Sequence, residues 1–316
     1  MENKKFFVTV LAVVFGLSLA AMNLSAETWT AIQTQPPLDE HQYGVTYGDS
    51  LWVIVGDTVG DGGLVKTSPD GVTWTKQNPG IPQSLNCVTY GNSLFVAVGH
   101  FGTIITSPDG VTWTRRYPDP ETTENFQCVG YGNSMFVAVG DNGILYTSSN
   151  GVSWAAKDSK VDKRLNGVCY SAFHGLWVAV GYDGAIVTSS NENSWKNHSL
   201  SLPYYLFHVV YGAGDNLFVA PSKNGMVFIS DNGTSWSKRN PGVTIEHLYA
   251  VTYGNSLFMV VGNFGAMIYS LDGRTWALEV DPPLTTEPLW SVGYDAGANR
   301  FVAVGQNIIL YSTPDA

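Results

Sequence analysis

A tryptophan recurs along this chain at nearly constant intervals of 39 to 41 residues. Each one closes the same short pattern, in which a Ser is followed by a turn rich in Asp, Asn and Gly and then by a Thr or Ser. The six tryptophans are Trp74, Trp113, Trp154, Trp195, Trp236 and Trp276. A repeat of about 40 residues made of short strands is the signature of a β-propeller, in which four-stranded blades surround a central channel. The repeat therefore predicts an all-β fold.

The two ends of the chain complete one further copy of this repeat. A seventh tryptophan would fall near residue 316, but the chain stops after the first half of the pattern, Tyr311-Ser312-Thr313-Pro314-Asp315. The second half, Thr28-Trp29-Thr30, lies near the start of the chain. We therefore predict a single seven-bladed propeller over residues 27–316, built of four-stranded antiparallel blades and closed by an N-terminal strand that completes the last blade.

Residues 1–26 have the layout of a secretory signal peptide. Two lysines are followed by an apolar run from Phe6 to about Ala21 and then by Asn23-Leu24-Ser25-Ala26. An uncleaved membrane anchor is the alternative, but this run is shorter than the ~20 apolar residues of a membrane span. We expect an exported protein, periplasmic or extracellular, with no integral membrane segment after the signal is removed.

The composition excludes one class of partner. The formal net charge is −10, so nucleic acid is not an expected ligand. Charged residues make up 13% of the chain, against about 25% in an average protein. The sequence contains no phosphate-binding loop, zinc-ligand spacing or Ser-His-Asp order, and we predict no cofactor, no metal and a monomer.

The second copy shows how a blade is built. We predict an inner strand at Asn86–Tyr90, a second strand at Leu94–Val98, a third at Thr103–Ser107 and an outer strand at Thr112–Thr114, with Gly, Asn or Asp at each reversal. The second strands are almost unbroken apolar runs, which predicts burial of both sheet faces between neighbouring blades.

Three positions of the inner strand repeat. The strand ends in Tyr in all seven copies (Tyr47, Tyr90, Tyr131, Tyr170, Tyr211, Tyr253 and Tyr294), and a Val stands two residues earlier, on the same face. Three before the Tyr, on the opposite face, stand residues that are small in six copies: Gly44, Cys87, Cys128, Gly167, His208, Ala250 and Ser291. We expect Tyr and Val to pack between blades and the small residues to lie near the axis.

Three cysteines in an exported protein raise the question of a disulfide. Cys87 and Cys128 occupy the same repeat position, and Cys169 lies one residue before Tyr170. This register predicts that each thiol points toward the next blade rather than toward another cysteine, and therefore that all three are buried and free.

The turn Ser107-Pro108-Asp109-Gly110-Val111-Thr112-Trp113 and its copies resemble the Asp-box, or BNR repeat, of sialidase-like propellers. The resemblance extends over residues 27–316, although this version is one residue shorter between Ser and Gly, and the fourth copy has Glu192 where Gly is expected. It implies a seven-bladed fold with the Asp-boxes on one face and ligands on the other. Sialidases bind the substrate carboxylate with three arginines; here only Arg164 is expected near the ligand face, so sialidase activity is not expected.

The fifth copy departs most from the repeat and supplies our candidate ligand site. His208 replaces a small residue, Lys223 stands at a loop tip, and the entering loops of the fifth and sixth blades carry aromatic, acidic and imidazole groups. The candidate residues are Tyr204, Tyr205, His208, Lys223, Glu246 and His247. Such groups suit a sugar or a peptide. The alternative is that His208 is a core residue and the tyrosines only cover a loop. For Asp57–Gly63 we expect a solvated loop without calcium.

These features favour a non-catalytic binding or scaffold protein whose partner is a protein or a glycan, as in the photosystem assembly-factor propellers that the chain also resembles. The alternative is a glycan-active enzyme or lectin, for which Glu124, Asp183 and Glu246 are the acidic candidates.

Overall fold

The computed structural model describes residues 28–33, 39–59, 62–200 and 203–313, so the expected signal peptide and Pro314-Asp315 lie outside the described residues. The described residues form seven separate sheets. The first strand is β1 (Thr28–Gln33). Blade one contains β2 (Glu40–Gly48), β3 (Leu51–Thr58), β4 (Gly62–Ser68) and β5 (Thr75–Gln77), and blade two contains β6 (Leu85–Gly91), β7 (Leu94–Gly99), β8 (Ile104–Ser107) and β9 (Thr114–Arg116). Blade three contains β10 (Pro118–Asp119), β11 (Phe126–Gly132), β12 (Met135–Gly140), β13 (Leu145–Ser148) and β14 (Trp154–Ala156), and blade four contains β15 (Leu165–Ser171), β16 (Leu176–Gly181), β17 (Ile186–Ser189) and β18 (Lys196–Asn197). Blade five contains β19 (Val210–Gly212), β20 (Leu217–Pro221), β21 (Val227–Ser230) and β22 (Ser237–Arg239). Blade six contains β23 (Leu248–Gly254), β24 (Leu257–Gly262), β25 (Met267–Ser270) and β26 (Ala277–Leu278). Blade seven contains β27 (Leu289–Asp295), β28 (Arg300–Gly305) and β29 (Ile308–Thr313).

The seven-bladed fold is confirmed, and so is its closure. Consecutive strands of each blade pair antiparallel, and β1 joins β29 as the outer strand of blade seven, with Thr28 opposite Thr313. Trp29 is buried there, and its Nε1 donates to Glu279 Oε1 at 3.0 Å. Blade three adds one strand to the expected four, because β10 pairs parallel with β14.

Aromatic pairs fill the space between blades. Each tyrosine that ends an inner strand packs on a fully buried aromatic residue at the start of the second strand, with ring centroids 4.6–5.2 Å apart. Tyr90 also covers Gly48 of the preceding blade, where a Cβ atom would lie 2.1 Å from the tyrosine ring. The seven valines two residues before these tyrosines are all buried. The predicted inter-blade core is therefore confirmed.

The turns between third and outer strands are held by their own side chains. In blade one, Asp70 Oδ1 accepts from the backbone N–H groups of Val72 and Thr73 at 2.8 and 2.7 Å, and Ser68 Oγ accepts from that of Gly71. The hydrogen bond from Thr73 is the largest of the effects that lower the pKa of Asp70 to about 2. The same arrangement lowers the pKa of Asp109 to about 2 in blade two.

Both described ends of the expected loop at Asp57–Gly63 are strand. β3 and β4 extend into it, and Thr58 pairs with Gly62. Asp57 Oδ1 lies 3.0 Å from His41 Nδ1, so this carboxylate faces the imidazole of the neighbouring strand β2. The expectation of a solvated loop was wrong for these residues, because the extra length is used to prolong a hairpin.

Candidate functional site

A cavity of about 640 Å³ opens where the inner strands begin, at the mouth of the central channel. Every blade contributes to its lining the residue four positions before the tyrosine that ends the inner strand. We call these seven residues the mouth ring: Tyr43, Asn86, Gln127, Asn166, Phe207, Tyr249 and Trp290. The ring is aromatic in four consecutive blades, five, six, seven and one, and carries amides in blades two, three and four. This side of the propeller thus has two chemically different halves.

β-bulges turn the ring residues toward the channel. In every blade except the fifth, the pairing of the inner strand with its neighbour shifts register at the ring residue, as at Asn86 between Leu85 and Cys87. A bulge inserts one extra residue and redirects its side chain. In blade five Phe207 precedes β19, and its N–H donates to Pro221 O at 3.1 Å. The repeat pattern of the sequence does not reveal this ring.

The aromatic half consists of two pairs of contacting rings. Tyr43 and Trp290 lie with centroids 4.9 Å apart, and Phe207 meets Tyr249 edge-on at 5.3 Å. The Tyr43 hydroxyl lies 3.2 Å from His41 Nδ1. Burial, with the carboxylate of Asp57 second, raises the pKa of Tyr43 to about 12. These tyrosines therefore offer neutral rings and hydroxyl groups to a ligand.

The polar half is a hydrogen-bonded network. Gln127 accepts from Arg164 at 2.7 Å through Oε1 and donates to Asp141 Oδ1 at 3.0 Å through Nε2. Asn86 donates to the carbonyl of Phe126 at 2.8 Å, and Asn166 makes the matching bond to Leu206 at 2.9 Å. The amide oxygens and nitrogens are thus held in fixed positions, and the positions suit recognition of polar groups.

Most of the small residues that follow the ring line the cavity one level deeper in the channel, and we call this level its floor. His208 stands among them, and its Nδ1 has no hydrogen-bond partner. Burial lowers the pKa of His208 to about 4, so the imidazole is neutral at pH 7.

Two of the cysteines meet on this floor. Cys87 Sγ and Cys128 Sγ are 3.4 Å apart, and the three thiols are free in the described part of the chain. The expectation that no cysteine points toward another was wrong for this pair. Inner strands converge at the axis, so pointing toward the next blade means pointing at the equivalent residue, which here is another cysteine. Cys128 is buried, while Cys87 and Cys169 are only half-buried.

The structure places four of the six predicted site residues in one sector of the rim. Lys223 Nζ lies 4.0 Å from the centre of the Tyr205 ring. The loop of Lys223 is bound to the next entering loop, because Asn224 N–H donates to His247 Nδ1 at 3.2 Å and Gly225 N–H donates to the Glu246 carbonyl at 2.6 Å.

The other two predicted residues lie elsewhere. His208 is on the floor of the cavity. Tyr204 packs against Phe228 of its own blade, and its hydroxyl accepts from Lys238 Nζ of the outer strand at 2.9 Å. Tyr204 thus stabilises blade five instead of facing the mouth.

The cluster around Tyr205 continues to two residues that were not predicted as site residues. Tyr182 stacks on Tyr205 with centroids 4.5 Å apart, and the guanidinium of Arg164 lies 5.0 Å from the Tyr182 ring centre. A column of Arg164, Tyr182, Tyr205 and Lys223 therefore joins blades four and five. Arg164 is the one arginine among the described residues that line the cavity, as expected from the sequence.

Exposed apolar side chains surround the mouth. Phe101 and Phe264 occupy the tips of the loops after β7 and β24 and are 64% and 56% exposed. Both have positive φ angles, 52° and 50°, which bulky residues adopt at a cost. The equivalent tip positions of other blades hold better-suited residues, Asn142, Asp183 and Asn224. Ile245, at 84% exposure, extends the apolar rim beside the aromatic half.

Among residues 28–33, 39–59, 62–200 and 203–313, no three His, Cys, Asp or Glu side chains are grouped so that they could hold a metal ion. No helix within these residues is both long and apolar enough to cross a membrane.

Comparison with known proteins identifies the fold. No protein-family model and no curated protein matches the chain. Among solved structures, YCF48 bound to D1 peptide is similar, with 20% identity and a TM-score of 0.73 over 92% of this chain and 99% of that one. YCF48 from Cyanidioschyzon merolae matches with 16% identity and a TM-score of 0.69, over 90% of this chain and 98% of its own. The WD40 propeller of Doa1 matches with 14% identity and a TM-score of 0.73, over 92% and 98%. At these identities the likeness extends to the fold alone.

Proposed function

We propose that this propeller is a non-catalytic binding protein that holds a segment of a partner protein at the mouth of its channel. The mouth ring is the observation that carries the proposal. A scaffold needs the same residue in every blade, whereas a binding surface must break that symmetry. The ring position breaks it in an ordered way, with four aromatic residues along one arc and three amides along the other.

The dimensions favour a protein segment. A cavity of about 640 Å³ is in the range of ligand pockets and holds a few side chains. Phe101, Phe264 and Ile245 extend the apolar surface beyond it, and aromatic residues are the usual anchors of protein interfaces. The similar propeller YCF48 has been solved with a D1 peptide bound. A segment that enters the mouth while flanking residues lie across the rim fits this surface.

We propose further that the protein acts outside the cytoplasm and that its repeat is of the Asp-box type. The signal-like pattern of residues 1–26 supports export. The hydrogen bonds of Ser68 and Asp70 within their turn support the Asp-box assignment.

A glycan is the second candidate ligand. Aromatic faces beside amides and a carboxylate are the groups that bind sugars, and Tyr249, Gln127 and Asp141 present all three around the mouth. A protein segment would also contact the exposed Phe101 and Phe264, which lie outside the cavity, and this favours a protein segment over a glycan.

Capture from the native host's envelope tests the proposal. The protein is immobilised beside a variant that carries Tyr249→Ala and Trp290→Ala. The control is Phe173→Ala, because Phe173 is 71% exposed and lies in the turn between β15 and β16, on the far side of the blades. We expect a defined protein to bind the parent and the control but not the double variant. Equal capture by all three would contradict the proposal, and retention of polysaccharide in place of protein would favour the glycan.

A further inference from the structure

Two thiols face each other across a blade boundary on the floor of the mouth. Cys87 and Cys128 occupy the same position in consecutive inner strands, β6 and β11, and both line the cavity. Their sulfur atoms are 3.4 Å apart. Small solutes that enter the mouth therefore reach a dithiol.

The two sulfurs are already close to bonding distance. Equivalent residues of adjacent blades also approach closely at this level, since a Cβ built on Gly44 lies 3.0 Å from the Cα of Cys87. Disulfides require Cα atoms about 4.4–6.8 Å apart and sulfurs at about 2.0 Å. The thiols must approach by roughly 1.4 Å to reach that length, which side-chain rotation supplies more easily than backbone movement.

The two thiols have different environments. Cys87 Sγ donates to Cys128 Sγ at 3.4 Å and accepts from the backbone N–H of Val129, also at 3.4 Å. The hydrogen bond between the two thiols is the main cause of a lowered pKa at Cys87, and the same bond together with burial raises the pKa of Cys128. Burial alone raises the pKa of Cys169. Cys87 is thus the best nucleophile of the three, with Cys128 beside it as a proton donor.

We propose that Cys87 and Cys128 are a peroxide-sensitive pair that closes to a disulfide between blades two and three. The Cys87 thiolate attacks one oxygen of a hydroperoxide, the O–O bond breaks, and Cys87 becomes a sulfenic acid while the alkoxide or hydroxide leaves and takes a proton. The Cys128 sulfur then attacks the Cys87 sulfur, and the sulfenic oxygen leaves as water with the Cys128 proton. With hydrogen peroxide, two thiols and one oxidant give one disulfide and two waters.

This reaction would act directly beneath the polar half of the ring. Asn86 and Gln127 immediately precede the two cysteines in the chain, and Asn86 Nδ2 lies 3.4 Å from Gln127 Oε1. A disulfide fixes the distance between the strands that carry these amides. The proposal stands on the thiol geometry and does not require the proposed function.

Thiol counting after peroxide treatment tests the pair. The full chain, purified under reductant and freed of it, is exposed to hydrogen peroxide, blocked with N-ethylmaleimide and digested for mass spectrometry. We expect the reactive thiols under denaturing conditions to fall from three to one, with Cys87 and Cys128 in one cross-linked peptide pair and Cys169 alkylated. Three remaining thiols, or a product that involves Cys169, would overturn the proposal.

Variants separate the two roles. In Cys128→Ser the sulfenic acid of Cys87 has no partner, and we expect dimedone to label Cys87. In Cys87→Ser we expect at least a tenfold loss of peroxide consumption at Cys128, while Cys169→Ser behaves as the parent. Melting curves of the reduced proteins show whether each variant is folded. Equal reactivity of Cys128 in the folded Cys87→Ser variant would contradict the assigned order.

Discussion

At the scale of single residues, the loop tips around the mouth carry phenylalanines that lower stability but expose an apolar ring. Phe264 has φ 50°, a conformation that costs an ordinary L-residue roughly 1–2 kcal/mol, and its ring is more than half exposed. Asn tolerates this conformation far better, and Asn142 takes it at the corresponding tip of blade three. An exposed aromatic residue in a strained position has no packing role that would justify the strain.

Replacement of Phe264 by Asn should therefore stabilise the protein and weaken binding. We expect an increase of about 0.5–1 kcal/mol in the free energy of unfolding, measured by denaturant titration, because the backbone strain is relieved. We expect about tenfold weaker capture of the partner, since one anchor residue is removed. Phe173→Asn is the control for loss of an exposed ring. A destabilised Phe264→Asn protein would show that this ring packs in solution.

His208 should make stability depend on pH. Its folded pKa is about 4, below the ordinary value of 6.5, so the unfolded chain binds the proton more tightly. The stability that this difference contributes is complete above pH 6.5 and is lost as the pH falls toward 4. We expect the loss to be about 1–3 kcal/mol, the lower values reflecting a side chain that is partly open to the channel.

The measurement compares the parent with His208→Asn. Free energies of unfolding are determined at intervals from pH 7 to pH 4. The value for the parent minus the value for His208→Asn should decrease toward the acid end, because only the parent loses stability as His208 titrates. A difference that stays constant over this range would mean that His208 titrates alike in both states.

At the scale of the strands, the close packing of inner strands from neighbouring blades depends on a glycine. The Tyr131 ring lies over Gly91, and a Cβ atom on Gly91 would come within 2.1 Å of it. We expect Gly91→Ala to lower the free energy of unfolding by about 1–3 kcal/mol, because blades two and three must separate to admit the methyl group. The control is Gly297→Ala in the exposed turn between β27 and β28, where the Oδ1 of Asp295, 3.2 Å away, is the one atom within 4 Å of the added Cβ. Equal effects of the two substitutions would show that the fit at Gly91 is loose.

The same strands show what sequence could and could not predict. Spacing of Trp, Tyr and Val predicted the blades and the inter-blade core, because every copy must satisfy the same packing. Strand periodicity, however, places residues four and two before the tyrosine on one face, so Asn86 is assigned to the core beside Val88. The bulge adds one residue and turns Asn86 to the channel. A pairing irregularity of this kind leaves no mark in the hydrophobic pattern.

Only part of the candidate site could be predicted from the sequence, because its residues lie in loops. Departures from the repeat in the fifth copy led to Tyr205 and Lys223, which the structure brings together. Tyr204, one residue away, points to the opposite side and packs on Phe228. Tyr182 was not among the predicted site residues, yet it stacks on Tyr205. A loop without regular periodicity does not reveal which of two adjacent tyrosines faces outward.

At the scale of the whole molecule, the ring of blades is sealed at one place only. Six blades receive their outer strand through a tight turn, but blade seven takes β1 from the other end of the chain. Formation of the β1–β29 pair closes a loop that contains almost all of the described residues, and this closure costs conformational entropy when the protein folds. A covalent link at the seam should remove this cost from folding.

We therefore expect a disulfide between Thr28→Cys and Thr313→Cys to raise the melting temperature. The two residues are directly opposed in the β1–β29 pair, where Cα atoms of antiparallel strands lie about 4.5–5.5 Å apart, within disulfide range. The chain-entropy model gives about 5 kcal/mol for so long a loop, which corresponds to a rise of roughly 10 °C, and native strain reduces it. Cys87→Ser and Cys128→Ser in the background keep the native pair out of the comparison. The oxidised protein should melt above its own reduced form, and Thr28→Cys alone should not respond to reductant. Coincident melting of the oxidised and reduced forms would mean that the seam opens only after the rest of the ring has unfolded.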